Sequence, residues 1–178
     1  DPAATGTPDN PALGAVTGAG DLDLTSPAFE DGEPIPDRYG RDADDINPPF
    51  SIDGVPDDAA SLALIVDDPD APNGSFLHWL VWNISPNRRE IPTGWNPADA
   101  TVGENDFGEQ GYGGPAPPAG EPAYRFKLYA LDTTLSLDRS ATVAEVGDAL
   151  RGHVLARTQL TGTYMAAQAG ETDTVGRE

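Results

Sequence analysis

Apolar positions along this chain fall mostly into short bursts with a period of two. SLALIV (residues 61–66) and HWLVWNI (78–84) are rich in Leu, Ile, Val and Trp, and read as strands. YRFKLYALD (124–132) alternates aromatic and polar residues and reads as a third. DLDLTSPAF (21–29) alternates like an edge strand, INPPFSIDGVP is a short extended piece broken by prolines, and QLTGTYMAA (159–167) reads as the last strand. TVAEVGDALRGHVLA (142–156) differs: Val143, Val146, Leu150 and Leu155 approach helical spacing, which predicts a helix containing His153. Thr142 is its candidate N-cap, with Glu145 three residues on completing a capping box. The sum is a mainly-β domain with a helix near the C-terminus.

The pattern also marks what lies outside the domain. Residues 1–18 are Ala, Gly, Pro, Thr and Asp without periodicity and read as a flexible tail; 19–168 form one domain and 169–178 a second tail. A stretch from 85 to 120 reads mostly as loop, a length usually tied to function. At 178 residues the chain suits one domain with a sizeable core. No run approaches the roughly 18 apolar residues of a membrane span. The start at Asp1 fits either a removed leader or a trimmed sequence, so an exported or membrane-tethered location and a cytoplasmic one both stay open.

Charge sharpens the picture. Thirty acidic residues oppose 10 basic ones, for a formal net charge of -20, and Lys127 is the sole lysine. Such a surface repels nucleic acid and anionic membrane, which demand Lys and Arg to neutralise phosphate. Dense Asp suits a salt-rich environment, because a Debye length of about 3 Å at 1 M relieves self-repulsion. Calcium is the competing explanation, but DADDINPPF (42–50) lacks the Gly and closing Glu of an EF-hand loop, so no metal or other cofactor is expected. Without cysteine there is no disulfide, zinc thiolate or thiol nucleophile.

Candidate chemistry concentrates in DDPDAPNGSFLHW (67–79). Asp67, Asp68 and Asp70 sit where one strand ends, and His78 where the next begins. Pro69 and Pro72 stiffen the turn between them, though Asp before Pro is also ordinary turn chemistry. His78 reads equally as a satisfied core histidine or as a donor to an anion, and a neighbouring carboxylate would favour its protonated form. GYGGPAPPAG (111–120) allows close backbone approach, and its glycine amides could form an anion-binding concavity or merely a solvent loop. Asp106-Phe107-Gly108 spells a kinase triplet without the accompanying kinase motifs, and neither GxSxG nor HExxH occurs. Asn73 and Asn83 head glycosylation sequons.

DPDAP, HW-x-VWNI, NDFG-x-x-GYGGP-x-PP-x-G, Y-x-FKLYALD, GHVLA and GTY then follow in order from about Leu22 to Tyr164. In this the chain resembles the phosphatidylethanolamine-binding protein family, specifically its bacterial and archaeal Raf kinase inhibitor-like branch. The resemblance implies a large antiparallel sheet packed on a smaller one, and a pocket for phosphate, phosphoryl head groups or acetate. It implies pocket acids Asp68 and Asp70, Pro72 in the turn after a candidate cis Ala71–Pro72 bond, His78 as the first pocket histidine, and Gly113, Gly114 and Pro115 along the other wall. Relatives usually carry HRY where this chain has Pro122, Ala123 and Tyr124, so Tyr124 remains while a second histidine and an arginine are lost. Arg125 is expected on the opposite face of its strand. DADDINPP also departs from a Gly-rich Asn-Ser-Pro stretch in relatives.

The leading expectation is a non-catalytic binding protein for a small anionic or phosphoryl-containing ligand. Some relatives bind kinases or proteases, so the resemblance admits a protein partner. The rivals are a hydrolase or isomerase using His78 as general base, and a vestigial pocket on a domain acting through its acidic surface.

Overall fold

The computed structural model describes residues 22–69, 76–117 and 120–165. The two tails expected at the ends, Asp70, Pro72, the Ala71–Pro72 bond and the Asn73 sequon lie outside the described residues. Among the described residues, eight strands form two antiparallel sheets. β1 (Asp23–Thr25), β2 (Phe50–Asp53) and β5 (Glu90–Ile91) make the small one, in the order β1-β2-β5. The large sheet runs β6-β4-β3-β7-β8, with β3 Ser61–Asp68, β4 Phe76–Ile84, β6 Thr101–Val102, β7 Ala123–Leu131 and β8 Val154–Thr163. A helix, α1 (Val143–Leu150), precedes β8.

Burial on both faces explains why β3 reads as a continuous apolar run: all eight of its residues are buried. One face of the large sheet (Leu62, Leu64 and Val66 of β3, Phe126 and Leu128 of β7, Trp79 and Val81 of β4) packs on Leu24, Phe50, Ile52 and Ile91 of the small sheet. The other face, including Ala63, Ile65, Leu80, Trp82 and Tyr129, packs under Val146 and Leu150 of α1.

Thr142 caps α1 as its sequence indicates: its side chain accepts from the Glu145 amide, and the Glu145 carboxylate accepts from the Thr142 amide. The helix is shorter than the expected 142–156. Arg151 is its C-cap and Gly152 follows at φ 83°, a left-handed position that ends the helix cheaply only at glycine. His153 therefore lies between helix and strand. Val154 and Ala156 belong to β8, where they pair with Leu131 and Ala130, so the last strand starts earlier and ends earlier than 159–167. The long 85–120 connection carries two edge strands, β5 and β6, and a bridge between Glu104 and Gln110. β1 is shorter than its alternating segment and lies at the sheet edge, as the alternation predicts.

Candidate functional site

β3 and β4 slip against each other at the site. Val66 pairs with Trp79 and Asp67 with Leu77, leaving His78 as an extra residue on β4. This β-bulge breaks the alternation. Trp79 packs in the core between the sheets and Leu77 beneath the helix layer. His78 meets Tyr124 of β7 at 5.1 Å between ring centroids and Phe76, the partner of Asp68, at 5.0 Å. Phe107 closes a third side at 5.5 Å. The ring is thus caged by three aromatics and is 1% exposed.

The same bulge separates the acids. Asp68 is buried and continues along β3 past Asp67. Asp67 faces the other way, toward Arg125, its register partner, and Lys127. Its Oδ1 accepts from Arg125 Nε at 2.8 Å, and its Oδ2 from Arg125 Nη2 at 2.9 Å and Lys127 Nζ at 3.1 Å. Arg125 lies opposite Tyr124's face, as strand alternation requires, and Asp67 does not share the His78 face.

Backbone from the glycine-rich segment grips His78. The Gly113 amide donates to the His78 carbonyl at 2.8 Å, and His78 Nδ1 lies 2.7 Å from the Gly113 carbonyl. A carbonyl only accepts, so Nδ1 carries the proton. Nε2 is buried and has no hydrogen-bond partner among the described residues. Burial holds the ring neutral, lowering its pKa to about 4, against smaller opposing effects from the Gly113 carbonyl and the Asp67 carboxylate. The protonated form that a neighbouring carboxylate would favour does not prevail, because desolvation outweighs the nearby acid.

The glycine amides also differ from the expected anion concavity. Gly113 N–H is spent on His78, and Gly114 N–H donates to Asp45 Oδ1 at 2.8 Å. Their contribution is closeness. A Cβ on Gly114 would collide with the Tyr39 carbonyl and sit 2.7 Å from Arg41 N; one on Gly113 would strike the Phe107 ring. Pro115 carries its carbonyl to the Arg41 amide at 3.0 Å. The Pro122 carbonyl accepts from the Tyr164 amide.

Three contributors escape the sequence reading. Asp45, inside the divergent DADDINPP segment, holds Gly114. The Asp106 carboxylate accepts from Leu77 N at 2.8 Å and its backbone N–H donates to the Leu77 carbonyl at 2.9 Å, which sets Phe107 against His78. Arg41 stacks on Phe107 at 3.8 Å and pairs with both oxygens of Glu109. The kinase-like spelling of 106–108 concealed its use as a prop; no local signal distinguishes Arg41 from any surface arginine. Asn83, the second sequon, exchanges two side-chain hydrogen bonds with the Leu135 backbone.

The family model for phosphatidylethanolamine-binding protein matches residues 25–165. The chain belongs to that family. A relative from Methanothermobacter thermautotrophicus, named UPF0098 protein, is 46% identical over 148 residues, covering 80% of this chain and 98% of its own. A relative from Mycobacterium tuberculosis that bears a lipoprotein name, LppC, is 39% identical over 145 residues, covering 80% of this chain and 72% of its own. Among solved structures, a homologue of the family from Chlamydia trachomatis superposes with a TM-score of 0.78 at 40% identity, covering 82% of this chain and 98% of that one. YbcL of E. coli, described as a member of the mammalian PEBP family, gives 0.77 at 30% identity, covering 82% and 99%. No helix among the described residues is long and apolar enough to cross a membrane.

Proposed function

We propose that the chain is a binding protein for a small phosphoryl-type anion, taken up in its singly protonated form. Asp68, Asp70, Pro72, His78, Gly113, Gly114, Pro115 and Tyr124 would line the pocket. One observation carries this reading: a buried imidazole, fixed as the Nδ1–H tautomer, whose Nε2 has no partner among the described residues. A buried polar atom left unmet costs about 1–3 kcal/mol, which a ligand hydroxyl would recover.

A lone pair on Nε2 accepts and does not donate. Charging the ring at pH 7 from a pKa of about 4 would cost about 4 kcal/mol. An anion that brings its own proton avoids that cost. A phosphomonoester, with its second pKa near about 6, offers such a form. The same low basicity disfavours His78 as a general base, which works best with a pKa near the operating pH. The lipoprotein name of the mycobacterial relative supports the expectation of a tethered, extracytoplasmic domain.

Phosphoethanolamine and inorganic phosphate, titrated in high salt while the His78 ring is followed by NMR, test the proposal. Saturable shifts that disappear in His78→Ala support it. An unmoved ring at every concentration of both ligands would overturn it in favour of a vestigial pocket.

A further inference from the structure

The large sheet carries a second polar centre on the face away from His78. Arg125, Lys127 and Tyr129 of β7 stand opposite Thr161, Gln159 and Arg157 of β8. Register pairs share a face, and Tyr129 of this row packs in the cluster beneath α1. In a chain with 10 basic residues and a net charge of -20, this row brings together three cations, of which Arg125 and Lys127 pair with Asp67 and Arg157 stands opposite Tyr129.

A cavity of about 240 Å³ opens among them, lined by Lys127, Tyr129, Arg157, Thr158 and Gln159. It is smaller than the roughly 300–1,000 Å³ of drug-sized sites. Arg157 Nε is buried and has no hydrogen-bond partner among the described residues. A guanidinium N–H left so is costly, and its planar fork matches an oxyanion edge, while an ammonium beside it supplies a point charge.

We propose that this cavity is a second anion site, separate from the His78 pocket, for a small tetrahedral oxyanion: inorganic phosphate or the phosphoryl end of a phosphomonoester. Arg157 presents the fork, Lys127 the neighbouring charge and Gln159 the rim. Cations, not a neutral imidazole, hold the ligand, so this site does not depend on the one proposed above.

Lys127 gives a clean readout, since a ¹³C-lysine-labelled chain has one lysine signal. Inorganic phosphate and phosphoethanolamine would each be titrated with ionic strength held constant by KCl. The expected result is a saturable shift of the Lys127 side chain with at least one of them, and which one identifies the ligand's source. That shift persists in His78→Ala and weakens at least tenfold in Arg157→Gln. Gln159→Glu, at an exposed position, places a negative charge on the rim and should weaken it similarly should Arg157→Gln fail to fold. A response no different from KCl alone, or one abolished by His78→Ala and untouched by Gln159→Glu, overturns the proposal.

Discussion

His78 and Gly113 hold each other by two hydrogen bonds, amide to carbonyl at 2.8 Å and ring Nδ1 to carbonyl at 2.7 Å. The pairing bridges 35 residues of sequence and leaves the imidazole with a defined proton on one nitrogen and a lone pair on the other. The chemistry proposed for the pocket follows from that assignment.

Stability should carry the signature of the buried neutral ring. Unfolded His78 takes a proton near pH 6.5 and folded His78 only near 4. The unfolded state thus binds more protons between these values, so the contribution is complete above 6.5 and is lost as pH falls toward 4. The full difference is about 3 kcal/mol. Urea unfolding of wild type and His78→Gln across this window isolates it, because the carboxylates titrate in both. Parallel stability curves for the two proteins would contradict the assignment.

Phosphoethanolamine affinity should be pH-dependent in the opposite range. Once the phosphoryl group loses its last proton above about pH 6, the complex must retain a proton that the free species no longer carry. Affinity then falls about tenfold per pH unit toward pH 8. Calorimetry in buffers of different ionisation enthalpy would show one proton taken up on binding. Constant affinity from pH 6 to 8 speaks against a shared proton.

Asp67 is expected to matter for stability. Replacing it with Asn leaves Lys127, 4% exposed, and Arg125 around an uncharged amide, and should cost about 3–5 kcal/mol. Adding Lys127→Met should recover part of that loss, since it removes one buried charge left without its carboxylate. Denaturant melts of the single and double variants measure the coupling, and strict additivity would refute it.

Gly114→Ala tests the proposed wall of the pocket. The added methyl meets the Tyr39 carbonyl and the Arg41 amide, both backbone, so one of the two loop segments must shift and about 1–3 kcal/mol should be lost. The His78 ring signals should move as well, through Gly113. Thr142→Ala, by contrast, should cost about 1 kcal/mol through the helix cap and leave those signals in place. A variant pair with indistinguishable His78 spectra would argue against the Gly114 wall positioning the ring.

Locally written features were legible. β3, β4 and β7 each announce themselves by period and composition, and the Thr142–Glu145 box starts the helix where expected. The end of that helix was harder to read, because Val154 and Ala156 fit a helical spacing and a strand alternation alike. Pairing with β7 decided in favour of the strand.

By itself, then, the sequence determined the two-sheet family fold, the net charge of -20 and which residues were candidates for a site, since periodicity, caps and ordered motifs are encoded in neighbouring positions. The tertiary structure decided which of those residues meet. A register slip of one residue turns His78 to the Tyr124 face and leaves Asp67 on the other with Arg125 and Lys127. Burial then overrides the nearby carboxylate and keeps the imidazole neutral. Asp45, from a divergent loop, takes the Gly114 amide that an anion would have used. These outcomes depend on strand register and desolvation, which are set by contacts between segments far apart in the chain, and no local pattern records them.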